Sequence, residues 1–313
     1  MLAFIIRRIL YLIPLLFGIS LFAFGVLRFN ENDAVISYLT ASSITPSEAN
    51  IKQAKIDLGL DKPIIKQYTI WIKKAILLDF GKSYLSKRDV FNDMLYHLPA
   101  TLKLAGFALL LTLIISIPLG MASAIYKDSF IDYFTRIFSF LGVSTPNFWL
   151  GLLLILLFSV KLELLPPFGS GGFSHIIMPA MAISFMPIAI NARFLRTNML
   201  EIKNQRFIYY AKLRGISSKN INLKHIFLNS LIPIITIIGM YVGELIGGAL
   251  IVENIFAYPG IGRYAVTAIL NNDYPIIQCF ILMISFIFII LNLCIDIIYA
   301  LIDPRIRLGM ENK

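Results

Sequence analysis

The sequence predicts an all-α polytopic membrane protein with six transmembrane helices and both termini on the cytoplasmic face. Three observations predict it. Hydrophobic side chains make up 58% of the 313 residues, well above the roughly 45–50% of a soluble domain. Six apolar stretches, approximately 9–27, 104–126, 137–160, 176–192, 231–252 and 276–298, can each cross a hydrocarbon core that needs about 20 apolar residues. The charge is one-sided. With Arg7 and Arg8 placed inside, the inner segments hold 15 Lys or Arg against 5 Asp or Glu, and the outer ones 13 against 11. Nearly all of the net charge of +10 therefore lies on the cytoplasmic side, as the positive-inside rule requires. That distribution assigns the basic excess to topology rather than to nucleic acid.

Residues 1–28 form the N-terminal tail and the first span. The apolar run is too long for a signal-peptide core and lacks a small-residue cleavage site before Arg28, so it reads as a retained anchor. Residues 29–100 form an extracytoplasmic helical domain. Thr45, Pro46 and Glu48 spell a capping box that starts a helix over 46–58, stopped at Gly59. Asp61 with Pro63 starts another, with Ile65, Tyr68, Ile72 and Ile76 on one side. The domain either meets a protein from outside or shields the outer mouth of a pore.

Residues 101–313 form a five-helix core. Pro118 and Gly120 break the character of the second span. The third carries Ser144, Thr145, Pro146, Asn147, Phe148 and Trp149 inside an apolar run. The fourth has Pro179 and Pro187, with Asn191 and Arg193 near its inner end. Proline at membrane depth frees backbone groups that a neighbour or a cavity must satisfy, so these spans face protein or water. Pro146, Asn147 and Asn191 are the pore candidates among them. Ordinary helix bending is the alternative for any one proline.

The loop 193–233 holds Arg193, Arg196, Lys203, Arg206, Lys212, Arg214, Lys219 and Lys224 against Glu201 alone. A helix running through Tyr209, Tyr210 and Ala211 stops at Gly215, where a left-handed cap needs no Cβ. Ser217 or Ser218 starts the next, with Ile221, His225, Asn229 and Pro233 recurring every four residues on one side. Two short helices meeting at a glycine make a peg for another protein. A basic loop touching anionic lipid is the plainer reading, but it requires neither the glycine nor the spacing.

In the fifth span Gly239, Gly243 and Gly247 make a stripe that admits a close helix. Glu244 stands beside it, and an acid at that depth is a candidate for function: it lines a pore, binds a cation, or pairs with another subunit. A protonated Glu holding two helices together is the structural alternative. Asp296 lies near the inner end of the last span and reaches the interface. Cys279 and Cys294, about 22 Å apart along one helix, are beyond disulfide reach. His97, His175 and His225 are scattered and read as structural. The chain has no phosphate-cradling loop G-x-x-x-x-G-K-[ST] and no paired nucleophile and base. It reads as no enzyme, binding no cofactor or metal of its own.

Ala211 and Gly215 followed by His225, Asn229 and Pro233 resemble the coupling loop of permease subunits of ABC importers, in the form used by the dipeptide, oligopeptide and nickel group. The general importer pattern has Glu-Ala-Ala before the glycine, where this chain has Tyr209, Tyr210 and Ala211. The likeness extends from Ile6-Arg7-Arg8 to Asp303-Pro304-Arg305-Ile306-Arg307 and includes LGLDKPIIKQY, DFGKSY, HLPATLKLAG and VSTPNFWL. It continues through ISFMPIAINARFLR, GELIGG, ENIFAYPGIGRYAV and NDYPIIQCF. The last runs resemble the group's outer re-entrant segment, here 253–275. Pro259, Gly260 and Gly262 supply its turn, and Glu253, Arg263 and Asp273 keep it at the interface.

The resemblance implies a type I permease in the cytoplasmic (inner) membrane. Its partners are a second homologous permease subunit, two ATP-binding subunits that use ATP and magnesium, an extracytoplasmic substrate-binding protein and membrane lipid, with no nucleic acid. Glu244 in GELIGG brings the chain nearest to the nickel permeases and implies import of nickel, free or chelated. Import of dipeptides or oligopeptides is the alternative. A secondary transporter using Glu244, or a membrane-embedded enzyme, are more distant ones.

Overall fold

The computed structural model describes residues 2–28 and 31–302. Within the helices, the side chains of Arg7, Arg8, Pro233, Glu244 and Asp296 lie outside the described residues, as do the whole of 303–313 and its Asp-Pro-Arg-Ile-Arg run. The described residues form thirteen α-helices: α1 Leu2–Arg28, α2 Glu31–Ala41, α3 Glu48–Asp57, α4 Ile64–Ile76, α5 Val90–Ile125, α6 Phe130–Ser144, α7 Asn147–Leu154, α8 Ser174–Lys203, α9 Arg206–Leu213, α10 Ser218–Asn220, α11 Leu228–Ile255, α12 Ile261–Leu270 and α13 Tyr274–Ile302. Wider π-helical turns occupy Ile155–Lys161 and Ile221–Phe227. Among the described residues three helices are long and apolar enough to cross a membrane, or four if the bent pair α6 and Asn147–Lys161 is one span.

The chain divides into two compact units, one of residues 1–101 with 259–290 and one of 102–258 with 291–313. In the first, Ala34, Val90, Met94, Ile261, Ala268 and Cys279 form a buried cluster. The predicted first helix of the outer domain begins later than the capping box places it. The cap is Ser47, whose Oγ accepts from the Asn50 N–H, and α3 starts at Glu48. Ser47 is the residue with extended backbone, and a cap must be extended while its side chain reaches the third amide onward. Pro63, not Asp61, stands at the head of α4 and gives no side-chain cap, because proline's fixed φ already suits a helix start. Asp273 is fully buried. Its carboxylate accepts from Ser83 Oγ at 2.6 Å and from the Leu85 N–H.

The second unit is built around α8. Fourteen residues of α8 are buried, including the small Ala180, Ala182, Ala189 and Ala192. Two glycines bring neighbours close to it: a Cβ on Gly120 of α5 would lie 2.6 Å from the Ala192 carbonyl oxygen, and one on Gly142 of α6 would overlap Ala189. Despite Pro118 and Gly120, α5 is continuous for 36 residues. Gly120 is there for the approach of α8, not for a break. The stretch predicted as the third span does break, turning by 106° between α6 and α7. Thr145, held extended by the following Pro146, cannot continue the helix.

Gly106 and Gly120 share α5 but differ in surroundings, since a Cβ on Gly106 meets nothing within 4 Å. Gly106→Ala is therefore expected to be neutral or stabilising by up to about 1 kcal/mol, and Gly120→Ala to destabilise by about 1–3 kcal/mol through overpacking. Thermal unfolding of the two purified variants in detergent checks the contrast.

Candidate functional site

The two short helices predicted around Gly215 are present. Helix α9 ends in a left-handed cap at Gly215, φ +72°. The Gly215 N–H donates to the Lys212 carbonyl and the Ile216 N–H to the Ala211 carbonyl, the paired bonds that close a helix end at a glycine. Ile216 then folds against the same apolar cluster as Ala211. No atom stands within 4 Å of where a Gly215 Cβ would be, so the requirement for glycine is conformational, worth roughly 1–2 kcal/mol. Ser217 caps α10 through the Asn220 N–H.

One side of α9 is seated and the other is open. Ile208 and Ala211 are buried with Leu195 and Met199 of α8, Ala124 of α5, and Ile221 and Ile226 beyond the glycine. Phe207, Tyr209, Tyr210 and Leu213 are exposed, Tyr210 at 62% and Leu213 at 66%. A helix of eight residues is too short to hold itself in water, so its orientation comes from this seat. The return strand of the peg is not an ordinary helix. Ile221 to Phe227 is π-helical, and its wider turn keeps Ile221 and Ile226 both in the seat. His225 is partly buried and Asn229 exposed, the Asn229 amide donating to the His225 carbonyl.

Sequence reading assigned Arg196 and Asp132 only to the charge balance, and missed that they meet. Asp132, in the first turn of α6, is fully buried. Its carboxylate accepts from Arg196 of α8 in a two-pronged ion pair, from Ser123 Oγ at 2.7 Å, from the Asp128 N–H at 2.9 Å and from Arg136 at 3.1 Å. A buried carboxylate is tolerated only when its lone pairs are met in this way. The pair ties the turn between α5 and α6 to α8 three residues before Met199, at the base of the seat. Only the Arg136 spacing of four residues could have signalled it; Arg196 is 64 residues away.

The other predicted residues are dispersed over the second unit and the re-entrant segment. Pro146 is exposed at the break of the third span. Asn147 lies beside Gly248 of α11, its amide nitrogen 3.5 Å from where a Gly248 Cβ would be. Asn191 is buried, and neither of its amide atoms has a partner among the described residues. In the glycine stripe, Gly239 faces Ile295 of α13 so closely that a Cβ would overlap it, whereas nothing approaches Gly247 within 4 Å. Gly243 is partly buried. Glu253 is fully buried in the last turn of α11. Cys279 is buried and Cys294 exposed, both free thiols.

The segment predicted to be re-entrant turns at Pro259 and Gly260, with Gly262 already inside α12 and Arg263 exposed. His97 explains much of its placement. Its Nδ1 donates to the Pro259 carbonyl at 3.0 Å, and its ring stacks on Tyr264 at 5.0 Å. Thr101 Oγ1 accepts from the Ile261 N–H, and the Tyr264 hydroxyl donates to Asp93. Asp93 in turn pairs with Arg88 at 3.1 Å.

Replacing Asp132 with Ala leaves Arg196 unpaired and mostly buried. A loss of about 2–3 kcal/mol is expected, with part of it recovered in Asp132→Ala/Arg196→Met. Chemical or thermal unfolding of both variants in detergent checks it.

The same architecture occurs in known proteins. Residues 116–308 match the family model described as binding-protein-dependent transport system inner membrane component, and residues 1–105 match its N-terminal companion. A dipeptide transport system permease protein of Alkalihalophilus pseudofirmus is 33% identical over 98% of this chain and 100% of its own length. A di/tripeptide transport system permease protein of Pseudomonas aeruginosa is 33% identical over 98% of this chain and 99% of its own. A glutathione transport system permease protein of Escherichia coli K12 is 34% identical over the same shares. Among solved structures, a chain of the inward-facing MetNI methionine ABC transporter superposes with a TM-score of 0.56 at 14% identity, covering 67% of this chain and 96% of that one; this shows a shared fold, the type I permease. A seated, glycine-stopped peg on an α8-centred bundle and similarity along the whole chain lead to one conclusion: the protein belongs to the binding-protein-dependent transport system inner membrane component family, as a multi-pass permease subunit of an ABC importer in the cytoplasmic membrane.

Proposed function

We propose that this subunit imports short peptides or peptide-like molecules of the dipeptide and glutathione size class. The observation that carries the substrate is the one-third identity, over nearly the whole length of each chain, to permeases named for dipeptides, di/tripeptides and glutathione. Nickel, free or chelated, is the second reading. It rests on Glu244 in GELIGG, whose side chain lies outside the described residues, and none of the relatives named above is a nickel permease.

In this reading six spans cross the membrane with both termini in the cytoplasm, and α9 docks into an ATP-binding subunit. The exposed Phe207, Tyr209, Tyr210 and Leu213 provide the apolar and aromatic contacts enriched at protein interfaces. Nucleotide-driven movement of two such partners would then act on the bundle through the seat of Ile208 and Ala211. A second permease subunit completes the pathway, an extracytoplasmic binding protein delivers the substrate, and ATP and magnesium are used on the partners alone.

Uptake in a strain lacking only this chain tests the substrate. ATP-dependent accumulation of a radiolabelled dipeptide is expected to be lost, and to be competed in the complemented strain by unlabelled di- and tripeptides. Intact dipeptide uptake with loss of radioactive nickel accumulation would make nickel the substrate.

A further inference from the structure

The outer helix α4 lies against the outer half of α1. The Tyr68 hydroxyl and Ser20 Oγ are hydrogen bonded at 2.8 Å, the Tyr68 ring meets Phe17 and Phe24 edge-on at 6.3 and 5.3 Å, and Trp71 lies 5.5 Å from Phe24. As a span, α1 has no length to spare. The 19 apolar residues 9–27 make about 28 Å of helix, only just the thickness of a hydrocarbon core of about 30 Å. Phe17 therefore sits near mid-membrane and Phe24 in the outer leaflet, and whatever touches both is below the membrane surface.

The faces of α4 agree with that depth. Gln67, Trp71 and Ala75, spaced four apart, are buried or partly buried. Ile65, Ile72 and Ile76 fall on the adjoining flank at helical spacing, and Ile65 and Ile76 are 78% and 73% exposed. Leu77 and Leu78 extend this apolar surface past the helix end, and both are exposed. Lys66, Lys73 and Lys74 lie on the remaining side and are exposed, with Ile70, less exposed than Ile65 and Ile76, between them. On α1, Leu21, Phe22 and Val26 are also exposed.

We propose that α4 is an interfacial helix embedded in the outer leaflet of the bilayer. Ile65, Ile72 and Ile76 enter the acyl chains, Tyr68 reaches down α1 to Ser20 below the headgroups, Trp71 sits nearer the surface beside Phe24, and Lys66, Lys73 and Lys74 reach up to lipid phosphates. A three-way division into protein, acyl chain and cation is the pattern of helices that lie in the membrane plane, with long basic side chains extended to the headgroups. A water-soluble protein covering the flank would have to descend below the surface to reach it. This inference rests on α1 being a span.

Nitroxides at single cysteines test it in the full chain, reconstituted in phosphatidylcholine and phosphatidylglycerol vesicles in a Cys279→Ala/Cys294→Ala background. Labels at Ile65→Cys, Ile76→Cys and Phe22→Cys are expected to collide several-fold more with oxygen than with a water-soluble nickel chelate, and Lys73→Cys the reverse. If residues 65 and 76 behave like residue 73 while residue 22 is in lipid, α4 stands in water and only this inference fails. If residue 22 is itself in water, the span assignment of α1 fails with it. Exclusion of both colliders at residues 65 and 76 would show a protein partner there and equally overturn the lipid assignment. In an otherwise unaltered chain, Trp149→Phe leaves Trp71 as the sole tryptophan. Its fluorescence is expected to be quenched most by lipids brominated near the glycerol end of the chain, and a lack of quenching by any brominated lipid contradicts the proposal.

Discussion

The close approach of α5 and α6 to α8 is the constraint from which the rest of the second unit follows. Gly120 and Gly142 lie against Ala192 and Ala189 with no room for a side chain, and such contacts between backbones take the place of a hydrophobic driving force inside a bilayer. Once the helices are that close, the turn between α5 and α6 falls beside the far end of α8. A carboxylate from one can then meet a guanidinium from the other out of water. The ion pair of Asp132 and Arg196 is thus a product of the packing, and a buried acid left without these partners would be costly.

The peg inherits its orientation from this base. Leu195 and Met199 are presented by α8 on either side of Arg196, and Ile208 and Ala211 of α9 seat on them. Gly215 reverses the chain without a gap in hydrogen bonding, and the π-helical turns over Ile221–Phe227 return it with two isoleucines still in contact. A short helix held on one face and open on the other can pass a push to α8, whereas a flexible loop of the same charge could not. The aromatic edge of Phe207, Tyr209, Tyr210 and Leu213 is what a partner would grip in the proposed mechanism.

How much of this the sequence disclosed depended on the separation of the interacting groups. The glycine stop at 215 and the serine cap at 217 are local, and were legible from a few residues. The cap of α3 was misplaced by two residues, because Thr45, Pro46 and Ser47 all belong to a plausible start and only backbone geometry selects Ser47. Pro146 was visible as an irregularity in the third span, but not as a turn of 106°, since the angle depends on the helices it joins. Glu253 and Asp273 were expected to hold their segment at the membrane interface, and nothing local indicated their partners. Asp273 is buried on Ser83, 190 residues away, a pairing that no sequence pattern encodes. Ile65 and Ile76 were correctly placed on one side of α4 with Tyr68 and Ile72, yet periodicity does not distinguish a face that meets protein from one that meets lipid.

The central claim is that the open edge of α9 is where the ATP-driven partners engage this permease. A photoreactive phenylalanine analogue at position 210, in the assembled importer, tests it directly. The account predicts a covalent adduct with an ATP-binding subunit from position 210, and none from a probe at Ile208 in the seat. An adduct at position 210 with the extracytoplasmic binding protein, or with lipid alone, would contradict it.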